Sequence, residues 1–289
     1  MYLPDFDYHA AASVEEASNL LGSLGTEAKL IAGGTDVLRM MKEGTLALKS
    51  LISITRVKDL KSITHDQEKG VVIGALATHN EVMLSPVLQE KYMSVCETAH
   101  HMANNQIRNI GTIGGNIANA VPSADFLPIL IALGAEITLQ TSSGSRSMPL
   151  EDFFVGPRQS VIKQDEILTE IIIPEKGFSG SNYHKFGLRR SGALAVVGVA
   201  VAVTMEDNLC KDVRIALGAV APTPVRVPEV EELLRGREIS AALLEEAGQV
   251  AAANCRPIDD IRGSKEYRQD MVRVFTRRTL RKAIDAGHV

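Results

Sequence analysis

Two short glycine segments constrain this chain more than any other feature. The first, "AGGTD", covers Ala32–Asp36, and the second, "GTIGGN", covers Gly111–Asn116. The second lies within "IRNIGTIGGNIANAVPSADFLPILIAL" (Ile107–Leu133), just ahead of an apolar run. A hairpin turn rarely needs Gly111, Gly114 and Gly115 together. Glycine lets main-chain N–H groups come close to a bulky anion, so both segments read as candidate phosphate cradles. Plain structural punctuation competes with that reading for either segment alone. Two of them, each leading from a strand or loop toward a helix, favour the cradle. The hydroxyls of Thr35 and Thr112 and the Asn116 amide add donors. Asp36 repels phosphate and reads as a helix cap or hydroxyl acceptor, with Thr35 facing the anion.

Other nucleotide and hydrolytic signatures are absent. There is no G-x-G-x-x-G for a Rossmann site and no G-x-x-x-x-G-K-[ST] for phosphoryl transfer. H-E-x-x-H and G-x-S-x-G are missing too. A net charge of −4, 4% aromatic residues and no Trp argue against nucleic-acid binding. Cys96, Cys210 and Cys255 are far apart and form no C-x-x-C pair, so they read as isolated thiols in a reducing compartment. "MYLPDFDYHA" lacks the features of a secretory signal, and "ALAVVGVAVAV" (Ala193–Val203) is too short for a membrane span. The expectation is a soluble cytoplasmic protein.

Local patterns organise the chain into three parts. "SVEEASNLLGSL" begins with Ser13 and Glu16 at capping-box spacing, "AKLIAGG" reads as a short strand ending on two glycines, "TDVLRMMKEG" as a short helix entered through Thr35 or Asp36, and "LKSLISIT" as a second strand. "GVVIGALAT" reads as a strand, and Thr78 with Glu81 opens a helical stretch reaching about Met102. A buried helix in "ADFLPILIALGA", a hairpin in "EITLQTSSGSRSMPL" and a strand in "DEILTEIIIPE" follow. The Gly/Ser/Pro-rich "PEKGFSGSN" (Pro174–Asn182) marks a boundary. Beyond it come a hairpin turning at Glu206–Asn208 and helices near Pro228–Gly236, Ser240–Asn254 and Ser264–Ala286. The fold class is therefore α+β, with lobes at residues 1–56 and 57–175 and a sheet-plus-helices domain at 176–289.

These motifs together resemble the flavin-binding subunit of molybdenum hydroxylases, a family that includes the medium subunit of aerobic carbon monoxide dehydrogenase and the flavin part of xanthine dehydrogenase. The resemblance runs from "FDYHAAASVEEASNLL" through "AGGTD" and "RNIGTIGGNIANAVPSADFLP" to "YHKFGLRRSGALAVVGVAVAV" and "IALGAVAPTPVR". It implies a non-Rossmann, two-lobed FAD-binding fold followed by the C-terminal domain. It places Ala32, Gly33, Gly34, Thr35, Asp36, Thr112, Gly114, Gly115 and Asn116 along the FAD pyrophosphate and ribityl chain. Asp125 falls at an acidic FAD contact, and Leu168 and Lys185 fall beside the isoalloxazine. Lys185 is expected to stabilise the negative charge of reduced flavin.

FAD is the only cofactor implied, since the cysteine-bearing insertion of the hydroxybenzoyl-CoA reductase subgroup is missing. The implied partners are an iron–sulfur subunit and a large molybdenum-cofactor subunit, as a dimer of heterotrimers, with an external electron acceptor. The implied function is electron relay, with no acid or base catalyst in this chain. An independent flavin oxidase or reductase, or a cofactor-free assembly subunit, are the alternatives. His100 and His101 lie on the approach to the second glycine segment and are further candidates. Arg189 and Arg190 read as a solvated basic pair, and Met40–Met41 as packing.

Overall fold

Three main sheets, with one small two-stranded sheet besides, follow one another along the chain in the computed structural model, which describes residues 2–175 and 177–287. The first is small and parallel. It contains β1 (Asp7–Ala10), α1 (Val14–Leu24), β2 (Ala28–Ile31), α2 (Val37–Lys42) and β3 (Ser50–Ser53), in strand order β1-β3-β2. Ser13 caps α1 by accepting from the Glu16 N–H, and Glu16 reaches back to the Ala12 N–H, one residue before the cap. Ala17 and Leu21 pack α1 into one cluster with Ile52 of β3 and with Leu60, Leu76 and Ile167.

The second sheet is antiparallel. After β4 (Ile63–Asp66) and β5 (Gly70–Gly74) the chain enters six short helices: α3 (His79–Leu84), α4 (Pro86–Lys91), α5 (Met93–His100), α6 (Asn105–Ile110), α7 (Ile113–Ala118) and α8 (Phe126–Ala132). It returns through β6 (Glu136–Gln140) and β7 (Ser145–Pro149), the small hairpin β8 (Phe154–Gly156) and β9 (Gln159–Ser160), then β10 (Ile167–Ile173), giving strand order β4-β5-β10-β6-β7. The capping box of Thr78 and Glu81 forms. The helical stretch expected to reach about Met102 consists of three short helices, the last ending at His100. Ser85 adopts extended backbone ahead of Pro86, and Tyr92 leaves helical geometry. A residue before proline is pushed out of the helical region, which makes the first break unavoidable.

The third sheet explains the longest apolar run. β11 (Gly180–Phe186), β12 (Val197–Glu206), β13 (Leu209–Gly218) and β14 (Val225–Arg226) form it in sequence order. The helices α9 (Pro228–Leu234), α10 (Ala241–Ala253) and α11 (Lys265–Ala286) follow. Strand residues alternate faces. Val197, Val199, Val201 and Val203 enter one core with α10 and α11, while Ala200 and Ala202 join the other core beside α8. Both faces are buried, so β12 shows no polar alternation. Small residues face α8 because every residue of that helix is itself buried and it packs close, with Pro128 against Gly218. Each fully buried Val or Ile here contributes about 1.5–3 kcal/mol.

One buried histidine, His79, and one half-buried histidine, His184, make the fold acid-sensitive. Burial holds His79 at about 4, and it holds His184, stacked on Phe275 at 4.2 Å, at about 4 as well. An unfolded imidazole takes its proton near 6.5, so the unfolded state gains protons first as pH drops. Their contribution is complete above about 6.5 and is lost as pH falls toward 4, on the order of 3 kcal/mol for His79. Thermal midpoints measured from pH 7.5 to pH 4.5 should fall steeply, and His79→Gln with His184→Phe should flatten that fall. An unchanged slope in the double variant removes both groups from the account.

Candidate functional site

The first glycine segment leaves β2 and reaches α2 without using its own donors. Among the described residues, the N–H groups of Gly33, Gly34, Thr35 and Asp36 meet no acceptor. Gly34 has φ +74°, which favours glycine and turns consecutive N–H groups toward one side. Asp36 takes the cap position of α2 but makes no side-chain cap bond, so of its two expected roles, helix cap or hydroxyl acceptor, the first is not made. Its backbone is already helical, and a side-chain cap needs extended geometry. Gly33 serves proximity. A Cβ there would overlap the Ile110 carbonyl oxygen and lie 3.1 Å from Gly111 Cα. The two glycine segments, 77 positions apart at Gly33 and Ile110, thus meet main chain to main chain.

The second segment is built differently from the expected glycine turn. Gly114 and Gly115 lie within α7 and have no positive φ. Their donors are committed inside the protein: Gly114 N–H to the Ala75 carbonyl at 2.9 Å, and Gly115 N–H to the Thr112 hydroxyl at 3.1 Å. Ile113 and Asn116 donate to the carbonyls of Ala77 and Thr112. Thr112 is therefore first a helix cap, nearly buried and bridged to Thr78. What α7 presents is the exposed Gly115 backbone and Asn116, whose buried Oδ1 finds no donor among the described residues.

The two α7 glycines should respond unequally to substitution. A Cβ at Gly114 would sit 2.5 Å from Ala75 Cβ and 2.6 Å from its carbonyl oxygen. Gly114→Val should cost about 3 kcal/mol through overpacking and the strained Ala75 bond, roughly 6–12 °C in Tm. Gly115→Ala meets only the movable Thr112 hydroxyl and should cost far less. Equal losses in calorimetry would refute the distinction.

Asp125 precedes α8 but makes no side-chain cap bond there. It is buried, and its carboxylate turns to β11, accepting from Lys185 Nζ at Oδ2 (2.6 Å) and from the Tyr183 hydroxyl at Oδ1 (3.0 Å). Lys185 also donates to the His101 carbonyl at 3.4 Å. Lys185 is thus no free cation beside a ring: its charge is balanced at contact distance. Burial pushes the Asp125 carboxyl up, while Lys185 and Tyr183 pull it back. Burial also pushes the Tyr183 phenol well up, which keeps it a neutral donor.

His101 closes α5, with its imidazole lowered mainly by burial, and His100 stacks edge-on against it. Arg189 and Arg190 are exposed in the β11–β12 loop, which is tied to the Ala103 carbonyl by Ser191 and Gly192. Met41 is buried and Met40 half-buried. Leu168 is buried on β10 within the central core that also holds Ile113 and Ile117.

With this geometry in hand, comparison with known proteins is decisive. The FAD binding domain in molybdopterin dehydrogenase matches residues 4–176, and the CO dehydrogenase flavoprotein C-terminal domain matches 182–283. The chain belongs to the FAD-binding subunits of molybdopterin dehydrogenases. It is 36% identical to the carbon monoxide dehydrogenase medium chain of Hydrogenophaga pseudoflava over 98% of both chains. It is 34% identical to the nicotine 6-hydroxylase medium subunit of Paenarthrobacter nicotinovorans over 99% of both. Among solved structures, carbon monoxide dehydrogenase from Hydrogenophaga pseudoflava superimposes with a TM-score of 0.95 over 99% of both chains. Quinoline 2-oxidoreductase from Pseudomonas putida 86 gives 0.93 at 27% identity, over 99% of this chain and 100% of that one.

As a member of this family the chain is the medium, flavoprotein subunit of an oxidoreductase, and its cofactor is FAD. The residues present fit that cofactor. Unpaired N–H groups at Gly33–Asp36 suit a diphosphate, and the orphaned Asn116 Oδ1 suits a hydroxyl donor. Sequence reasoning missed Tyr183, the Ile110 carbonyl wall and the buried His79, whose Nε2 edge lies against Gly111 and whose Nδ1 has no partner among the described residues. One signal was available: in a strand, "YHK" puts Tyr183 and Lys185 on one face and His184 on the other.

Proposed function

We propose that this chain relays electrons within a multi-subunit molybdenum hydroxylase. The observation that carries the proposal is the juxtaposition of the free Gly33–Asp36 donors with the Ile110–Asn116 wall. FAD would lie between the lobes of residues 1–56 and 57–175, with 176–289 at the Lys185 end. Gly33, Gly34 and Thr35 would hold the diphosphate through Ala32–Asp36 backbone, and Asn116, beside Thr112, Gly114 and Gly115, would accept from the ribityl chain. The neutral pair of Asp125 and Lys185 and the side chain of Leu168 would border the ring.

Bound FAD supplies the exchange between one-electron donors and a two-electron acceptor. The residues of this chain position it and exclude water from its buried end. Among the described residues, no group of three His, Cys, Asp or Glu is placed to hold a metal. The three thiols are buried apart, each pushed up to about 11 by burial. An iron–sulfur subunit delivers the electrons, a large molybdenum-cofactor subunit performs the hydroxylation, and an external acceptor takes the electrons away. The assembly is a dimer of heterotrimers in the cytoplasm. Among the described residues no helix is long and apolar enough to cross a membrane.

Reconstitution tests this. The purified chain should release FAD, not FMN, on heating, and should take electrons from an artificial reductant without hydroxylating any substrate. Adding the two partner subunits from the same host should restore turnover. Multiple turnover by this polypeptide alone would establish an independent oxidase, and failure to bind FAD would leave an assembly subunit.

A further inference from the structure

We infer that Tyr183 is a positioning residue for the cofactor, acting through Asp125 on Lys185, and that Gly198 is there to make room for it. This rests on the reading that the Asp125–Lys185 pair borders the FAD ring. The two oxygens of Asp125 are divided between two donors on one strand face: Oδ1 takes the Tyr183 hydroxyl and Oδ2 takes Lys185. Lys185 alone does not fix a carboxylate, because a single-point contact leaves the group free to rotate. The second donor fixes the carboxylate plane and, through it, the ammonium.

Gly198 supplies the independent observation. It is the cross-strand partner of Lys185, inside the ten-residue strand β12 and surrounded by Val and Ala. Glycine inside a strand costs about 0.5–1 kcal/mol and often marks a close approach. Here the approach is by Tyr183. A Cβ at position 198 would lie 2.8 Å from the Tyr183 hydroxyl and 3.2 Å from Cε2. Even alanine, tolerated at Ala200 and Ala202 on the same face, would push the phenol away from Asp125.

The consequence is control of charge. Lys185 and Tyr183 from β11 and His101 from the end of α5 face Asp125. Without the phenol, Oδ1 is a buried acceptor with no donor, and the carboxyl takes up a proton more readily. Protonation leaves the Lys185 charge uncompensated, so a neutral pair becomes a cation beside the ring. Tyr183 thereby keeps the local charge constant with pH.

The test uses the full chain loaded with FAD, comparing the native protein with Tyr183→Phe, Gly198→Ala and Lys185→Met. The native midpoint potential should vary with pH as the flavin's own protons dictate. Tyr183→Phe should add an inflection, with the potential rising further as pH falls, and Gly198→Ala should reproduce it. Carboxyl carbon NMR of Asp125 in the FAD-free chain should show its titration moved up by roughly one unit in both variants. No movement of that titration overturns the inference. A moved titration and a Lys185→Met effect on the potential, with no inflection in Tyr183→Phe, also overturns it while leaving the site reading intact. If neither Lys185→Met nor Tyr183→Phe touches the potential, the ring lies elsewhere and the site reading falls with it.

Discussion

Gly33→Ala should yield a purified chain that is folded but nearly colourless. The added methyl falls on the Ile110 carbonyl oxygen, and the main chain there has little freedom to retreat. Gly111 N–H is bonded to the Ile107 carbonyl at 2.7 Å, and the Gly111 carbonyl accepts from His79 N–H at 3.0 Å. The β2–α2 loop is the softer side, because its own donors are unpaired, so it must move. A shift of about one ångström misaims the N–H groups of Gly33, Gly34 and Thr35 toward a diphosphate. Losing two charge-assisted hydrogen bonds at roughly 1.5–3 kcal/mol each lowers FAD affinity on the order of a hundredfold or more. Flavin-to-protein absorbance ratios and fluorescence titration measure the loss, and circular dichroism separates it from unfolding. Native affinity in this variant would show that the two segments do not jointly hold the cofactor.

Lys185→Met should prove a stability lesion before it is a redox lesion. A free cation stabilising reduced flavin would make Lys185→Met a variant with a lowered potential and FAD still bound. In the structure Lys185 is 10% exposed in its side chain and paired with Asp125, itself 8% exposed. Removing one partner of a buried ion pair leaves an uncompensated charge, which costs about 3–5 kcal/mol. Asp125 then relieves the cost by taking a proton, so stability of the variant recovers as pH is lowered toward the raised carboxyl value. The double variant Lys185→Met/Asp125→Asn should regain most of the loss at neutral pH. Denaturant midpoints for the two single variants and the double variant complete the cycle. Additive single losses would mean the pair contributes nothing jointly.

Much of the fold was readable in local chemistry. Ser13 with Glu16 and Thr78 with Glu81 announce helix starts because capping depends on residues three apart, which any sequence displays. The hairpin of β6 and β7 and the strand before Pro174 follow from alternation and turn residues. The break at Ser85–Pro86 is equally local, since proline pushes the residue before it out of helical backbone. The glycine segments and the residues after them marked a cofactor site for the same reason. A backbone that must lie close to something has to be glycine, whatever the partner is.

What each glycine lies close to is another matter, because that partner is distant in sequence. Gly34 is set by its own φ, but Gly33 answers to Ile110, Gly114 to Ala75 and Gly198 to Tyr183. The second segment looked like a twin of the first, yet it commits its donors to Ala75, Ala77 and Thr112, whereas the first leaves its own free. Likewise Asp125 and Lys185 each suggested a contact with the cofactor, and only the packing of β11 against the start of α8 made them a pair. The sequence determined where bare backbone, caps and apolar faces had to be, since those are set by neighbours within a few residues. Tertiary structure decided which charges cancel and which N–H groups stay free, because those depend on residues tens of positions apart arriving within three ångströms.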